Sequence, residues 1–254
     1  MIAFIGKTVT PCATVGINRR LEPNYPHQLF PHDWGVIQKE LLVNEGEKPE
    51  WRTLKHVVQA TDLDRIYASE DKLIGVRFDK TTKYSLIDID IRSLCHPQVN
   101  KNEWDRLMKA LENAGLTDRI IIQSSDSGGL HVYFWFGEEL ETYKVAQLLW
   151  SVCHSGGFAL RGGNVETFPN AKKYTLIPSM YNGHRLPLQP ESGSILLDEY
   201  FEEIDTINPW GEFCYRVETS QQDIELVTSP NTSLTGRYGL LVRDPAGSVR
   251  LPWR

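Results

Sequence analysis

No stretch of this 254-residue chain approaches the roughly 20 consecutive apolar residues that a membrane-spanning helix needs. Cysteine is scarce. Cys12, Cys95, Cys153 and Cys214 stand far apart, and no two form a Cys-x-x-Cys pair, which argues against a zinc ribbon or a dithiol redox motif. Isolated thiols fit a reducing compartment. The opening Met1-Ile-Ala-Phe-Ile-Gly-Lys7 lacks the basic start and apolar length of a secretion signal, so a cytoplasmic protein is expected. Positive charge is also in deficit, with 27 Lys and Arg against 33 Asp and Glu, a formal net charge of −6. A protein that merely coats nucleic acid is usually basic, so that class is disfavoured. An enzyme that gathers its basic groups in one cleft and holds metal with its acidic groups remains open. No internal repeat or low-complexity tract is present. Hydrophobic residues make up 41% of the chain, enough to bury a sizeable core.

The most informative stretch is Tyr84-Ser-Leu-Ile-Asp88-Ile-Asp90-Ile-Arg92, an apolar run broken by two aspartates that reads as a β-strand. Alternation sends Asp88 and Asp90 to one face and Ile87, Ile89 and Ile91 to the other. Two carboxylates one pleat apart are costly to desolvate unless positive charge sits between them. A hard divalent cation, Mg²⁺ or Mn²⁺, suits them. The plain alternative is a strand end that presents two aspartates to water.

Around this strand the pattern is mixed. Trp34, Ile37, Leu41 and Leu42 recur at helical spacing behind a possible Asp33 N-cap, so a helix is predicted over Trp34–Val43. The segment Trp51–Ala60 fits a strand or a short helix equally. Leu73–Phe78 reads as a strand, and Asn100 with Glu103 opens a helix whose buried face is Trp104, Leu107, Met108 and Leu111. Arg119–Gln123 and Leu130–Phe136 form a hairpin about the turn Ser124–Gly129. A second amphipathic helix spans about Glu139–His154. The hairpin breaks any purely parallel pattern, so the expected fold is α+β: a mixed or antiparallel sheet with packed helices.

Three further features bear on chemistry. Ser127-Gly128-Gly129-Leu-His131 places small, permissive residues beside a histidine at a strand start. Glycine backbone, a hydroxyl and an imidazole together suit a phosphate. A satisfied structural histidine is the alternative. Glu166, between Val165 and Phe168, fits either a third metal ligand or an ion-pair partner for Lys172 or Lys173. Arg185 enters an apolar segment, and its fork suits bidentate phosphate contact. Arg77 in the preceding strand fits either the cleft or a solvated surface.

The order Asp-x-Asp strand, small-residue turn ending in histidine, apolar-flanked acid, then Lys and Arg resembles the archaeo-eukaryotic primase superfamily. Leu86-Ile-Asp88-Ile-Asp90-Ile resembles its first motif, Ser127-Gly-Gly-Leu-His131 its second, and Val165-Glu166 its third, with Glu in place of the commoner Asp. Glu-Thr-Phe-Pro-Asn and Arg-Leu-Pro-Leu look most like the plasmid, phage and defence-island primase-polymerases. The resemblance covers roughly Leu73–Leu188, and no primase zinc motif accompanies it. It implies an RRM-like primase catalytic core with an N-terminal α/β lobe: residues 1–72 as the lobe, 73–205 as the core and 206–254 as a loop-rich C-terminal segment. It further implies a template-dependent nucleotidyltransferase. Asp88, Asp90 and Glu166 would hold two divalent ions, Mg²⁺ or Mn²⁺. Ser127, Gly128, Gly129, His131, Lys173 and Arg185 would hold the incoming nucleoside triphosphate. The implied partners are a single-stranded DNA template, a primer and nucleotides, without a membrane. A metal-dependent nuclease, a catalytically idle replication initiator or DNA-binding scaffold, and a small-molecule-binding α+β protein are the competing classes.

Overall fold

The computed structural model describes residues 25–31, 35–42, 49–172 and 180–223, with the backbone of 242–243 and 249–250. In chain order the elements are α1 (Pro26–Leu29), β1 (Ile37–Glu40), β2 (Arg52–Thr53), α2 (Ala60–Tyr67), β3 (Lys72–Arg77), β4 (Thr81–Ile89), α3 (Lys101–Glu112), β5 (Ile120–Gln123), β6 (Leu130–Glu141), α4 (Thr142–Ser155), β7 (Val165–Phe168), β8 (Gly183–Arg185), β9 (Ile195–Leu197), α5 (Pro209–Thr219), β10 (Gln221–Gln222), β11 (Val242–Arg243) and β12 (Val249–Arg250). The fold is α+β, built on antiparallel sheets.

The central sheet runs β7-β4-β6-β5-β9, antiparallel throughout, and β10 adds in parallel to β6 at Trp135 and Phe136, beyond the point where β5 stops. A four-stranded antiparallel sheet runs β2-β1-β3-β8. Strand alternation divides the central sheet cleanly. Ile87, Ile89, Ile121, Val132, Phe134, Phe136 and Val165 pack under α3 and α4, against Trp104, Leu107, Met108, Leu111, Val145, Leu149 and Val152. The alternate residues of the same strands, Tyr84, Leu86, Ile120, Ile122, Tyr133, Trp135 and Phe168, form a second core with Ile74 and Val76 of the four-stranded sheet and Phe213 of α5. Both faces are therefore buried. Tyr133 and Trp135, which share the His131 face, are as much core as their neighbours.

Local chemistry accounts for the helix ends. Asn100 caps α3 by accepting the Glu103 N–H, as its sequence predicts. Asn208 caps α5 through the Gly211 N–H, and Pro209 takes the first helical position, where its missing N–H costs nothing. The sequence reading did not pick out α5. Nor is there a helix at Ile37–Glu40. That segment is β1, pairing with both Arg52–Thr53 and Lys72–Gly75. Gly35 precedes it at φ +81°, and a sheet edge at β3 is there to be paired, which outweighs four apolar residues at helical spacing. Trp34 and Val43 lie outside the described residues. The β3–β8 pairing needs Gly75, because a Cβ there would collide with the His184 carbonyl.

Candidate functional site

Register builds the site. Asp88 of β4 lies opposite Glu166 of β7 on one side and His131 of β6 on the other, so the three side chains stand side by side on one face. The same row continues into apolar Ile122 and Leu196, buried in the second core. A single row across the sheet thus changes from hydrocarbon to ionisable groups, and the polar end opens to a cleft. Asp88, Asp90, Ser124, Ser125, Ser127, Gly129, His131, Glu166 and Phe168 form one wall, on the central sheet and its hairpin turn. Ile37, Trp51, Arg77, Asn182, Gly183, His184 and Arg185 form the other wall, from the four-stranded sheet and its flanks. The cleft volume is about 540 Å³.

His131 is almost fully buried, with Nε2 3.6 Å from Asp88 Oδ2. Glu166 is half-buried. Burial, and then the Asp88 charge beside it, pushes its carboxyl above the ordinary glutamate range. Asp90 lies one residue past β4: its N–H donates to the Asn164 carbonyl and its Oδ1 accepts the Arg92 N–H. Arg185 faces the same charges from across the cleft. Burial lowers its pKa, while Tyr133, Asp88 and Asp126 act to raise it. Beneath them, the Tyr133 hydroxyl is buried without a hydrogen-bond partner, and burial raises its pKa.

The turn is tightly folded. Ser124 N–H donates to the Gly129 carbonyl and Gly128 N–H to the Ser125 carbonyl. Gly128 takes φ +82°, a region glycine enters freely. The Gly128 N–H is therefore engaged inside the turn. The Ser125 and Ser127 hydroxyls pair with each other at 2.8 Å on the turn's exposed side, where an incoming anion would compete for them.

The remaining predicted residues are placed unevenly. Lys173 lies outside the described residues. Lys172 sits 3.5 Å above the Tyr181 ring, a cation–π contact. Arg77 is no solvated surface residue: it donates to the Tyr181 carbonyl at 2.8 Å and to Thr53 Oγ1 at 3.2 Å, tying both flanks of its wall together. Sequence reasoning missed Trp51, Asn182 and His184. The buried His184 ring donates from Nδ1 to the Arg185 carbonyl and accepts from the Tyr84 hydroxyl at 2.8 Å. It therefore fixes the backbone of the residue beside it. Trp51 retains 40% exposure on the cleft wall.

Among the described residues no three His, Cys, Asp or Glu side chains converge as a metal-binding group. Asp88 and Glu166 are nonetheless hard oxygen donors whose mutual repulsion a cation would relieve. Magnesium commonly takes only one or two carboxylates, completing its shell with water and substrate phosphates. The donor chemistry fits such an ion. Among the described residues no helix is long and apolar enough to cross a membrane.

No protein-family model matches the chain, and no curated protein matches it. A solved structure similar to it is the AEP domain (PP-N190) of the cyanophage S-2L primase-polymerase. The two are 15% identical with a TM-score of 0.35, and the match covers 74% of this chain and 92% of that one.

Proposed function

We propose that this protein is a template-dependent nucleotidyltransferase of the primase-polymerase type, which adds nucleotides to a 3′-hydroxyl on a single-stranded DNA template. The supporting observation is the row Glu166–Asp88–His131 across three adjacent strands, facing a cleft rimmed by the Ser-Gly-Gly turn and Arg185. Its members are the residues that carry the sequence resemblance.

Asp88 and Glu166, with Asp90 at the rim, would hold Mg²⁺ or Mn²⁺. When bound, the metal supplies charge neutralisation for the triphosphate and acidifies the attacking hydroxyl. The protein's own groups bind and orient. The Ser125 and Ser127 hydroxyls and the His131 imidazole donate to phosphate oxygens, and Arg185 adds fixed positive charge from the opposite wall. Lys173 adds charge in the same reading. Trp51 offers its exposed face to a nucleobase. Held in line, the 3′-oxygen bonds to the α-phosphorus as the bond to the bridging oxygen breaks and pyrophosphate leaves. In this reading residues 1–72 are the N-terminal lobe of the catalytic unit and contribute Ile37 and Trp51 to the cleft, and α5, which packs in the second core, belongs to it as well.

The test is extension of a labelled primer on a single-stranded template with Mg²⁺ or Mn²⁺, beside the Asp88→Ala/Asp90→Ala variant. Product that disappears in the variant supports the reading. A shortened template instead of an extended primer replaces it with a nuclease. Nucleotide or DNA binding without product replaces it with an idle initiator.

A further inference from the structure

The segment that follows the aspartate strand, Asp90–His96, is tied both to the loop that leads into Glu166 and to the hairpin turn. Its first residue donates its N–H to the Asn164 carbonyl, two residues before Glu166. In its middle, the Ser93 hydroxyl bonds Asn164 Oδ1 at 2.6 Å. At its end, the His96 ring reaches across to the hairpin turn, with Nε2 3.0 Å from the Gly128 carbonyl. His96 is only 2% exposed. A carbonyl can only accept, so Nε2 carries the proton. The other ring nitrogen, Nδ1, accepts the Gln98 N–H at 3.3 Å. Both nitrogens are used, and a single neutral tautomer satisfies them. Burial also lowers its pKa, in keeping with a neutral ring.

The bond falls where the turn most needs holding. Gly128 is the left-handed residue of the turn, and a Cβ there would press on Ile91 at 3.1 Å. Gly129 lies directly against the strand end: a Cβ on it would meet the Ile89 carbonyl at 3.3 Å and Asp90 Cα at 3.9 Å. Turn and carboxylate strand therefore abut, and His96 is the side chain that closes the circuit between them.

We propose that His96 is a positioning residue. By donating Nε2–H to the Gly128 carbonyl it sets the distance between the Ser125–Gly129 turn and the Asp88/Glu166 carboxylates, and so the fit of a nucleoside triphosphate spanning both. This rests on the nucleotidyltransferase reading for what the turn binds, but the lock itself is geometric. The role differs from that of His131. His131 lines the cleft, whereas His96 acts only through the turn.

Two substitutions separate the ring nitrogens. In His96→Asn the carboxamide oxygen stands in for Nδ1, keeping the Gln98 contact and losing the bond to Gly128. In His96→Gln the carboxamide nitrogen stands in for Nε2 and keeps that bond. Two readouts are made on the full chain: amide exchange of the Gly128 N–H, and KM for a nucleoside triphosphate against kcat in primer extension. His96→Asn is expected to speed Gly128 exchange and to raise KM about tenfold with kcat within about twofold, as loss of one buried hydrogen bond implies. His96→Gln is expected to stay near wild type in both. Equal behaviour of the two variants, or a fall in kcat with unchanged exchange, would overturn the proposal. Should wild-type protein extend no primer, the reading of the site fails, yet the exchange comparison still decides whether His96 holds the turn.

Discussion

The two faces of the central sheet are made by the same strands, one residue out of phase, and they serve opposite ends. Under α3 and α4 the face is mainly hydrocarbon, with Leu107, Leu111, Val132 and Leu149 fully buried and only the small hydroxyl residues Ser85 and Thr167 set among them. The other face is crowded with rings, Tyr84, Tyr133, Trp135 and Phe168, with His184 of β8 packed on them, and ends in Asp88, His131 and Glu166. Polar groups there are only partly satisfied: Tyr133 keeps an orphaned hydroxyl and Glu166 faces a like charge. Buried, unpaired polar atoms and adjacent carboxylates work against folding. Both faces build core, and the cleft face gives up stability at the candidate site.

That contrast predicts distinct phenotypes. The largest loss of stability belongs to the helix-covered face. Leu107→Ala should cost about 2–5 kcal/mol in urea unfolding, while nucleotide affinity per folded molecule is unchanged. An affinity loss of similar size would mean that the two faces are coupled. Next comes Asp88→Ala, which should cut extension by about a hundredfold or more, roughly 3 kcal/mol of barrier, without lowering unfolding free energy. Destabilisation there would remove Asp88 from the chemistry and make it structural. Trp51→Ala should weaken binding of a nucleoside triphosphate by about 1–3 kcal/mol, leave tripolyphosphate binding alone, and be rescued by Trp51→Phe. Calorimetric titration reads this directly. Parallel losses for both ligands would contradict a stacking role.

The smaller effects concern the unsatisfied groups. The Glu166 carboxyl is raised above its ordinary value, first by burial and then by Asp88, so the folded state favours its protonated form. Stability from this group is therefore fully present below the ordinary glutamate pKa and is lost as pH rises through the raised one. Metal-free Glu166→Gln should lack that decline in a pH series of thermal melts. Smallest of all, Tyr133→Phe removes a hydroxyl without a hydrogen-bond partner and should leave stability unchanged or raise it by up to about 1 kcal/mol.

The same contrast explains what was legible in the sequence. The helix-covered face follows two simple periods, so β4, β5, α3 and α4 were readable from residue types alone. The catalytic candidates Asp88, His131 and Glu166 were readable as polar interruptions in the apolar segments that become β4, β6 and β7, and cross-strand register brings them together. On the opposite wall only Arg185 was readable. Trp51 and Asn182 come from segments with no periodic pattern. Ile37 belongs to a strand whose apolar spacing imitates a helix until β3 is beside it. Arg77 reads as an ordinary surface arginine until Thr53 and Tyr181, 24 and 104 residues away, close around it. α5 had a legible start in Asn208-Pro209, but it follows an acidic stretch without apolar rhythm. Long β6 runs past its apolar segment because Thr81 and Thr82 of β4 pair with Glu141 and Leu140, a partnership that no local pattern announces.

The most direct test of the central claim, that Asp88 and Glu166 are kept together for a divalent ion, is thermal unfolding of wild type and Asp88→Asn across a Mn²⁺ titration. Wild type should melt at rising temperature as Mn²⁺ is added, since an ion bound only by the folded state stabilises it. Asp88→Asn should start at or above the metal-free wild-type melting temperature and respond little. A variant that melts lower without metal yet gains as much from Mn²⁺ as wild type would contradict the account.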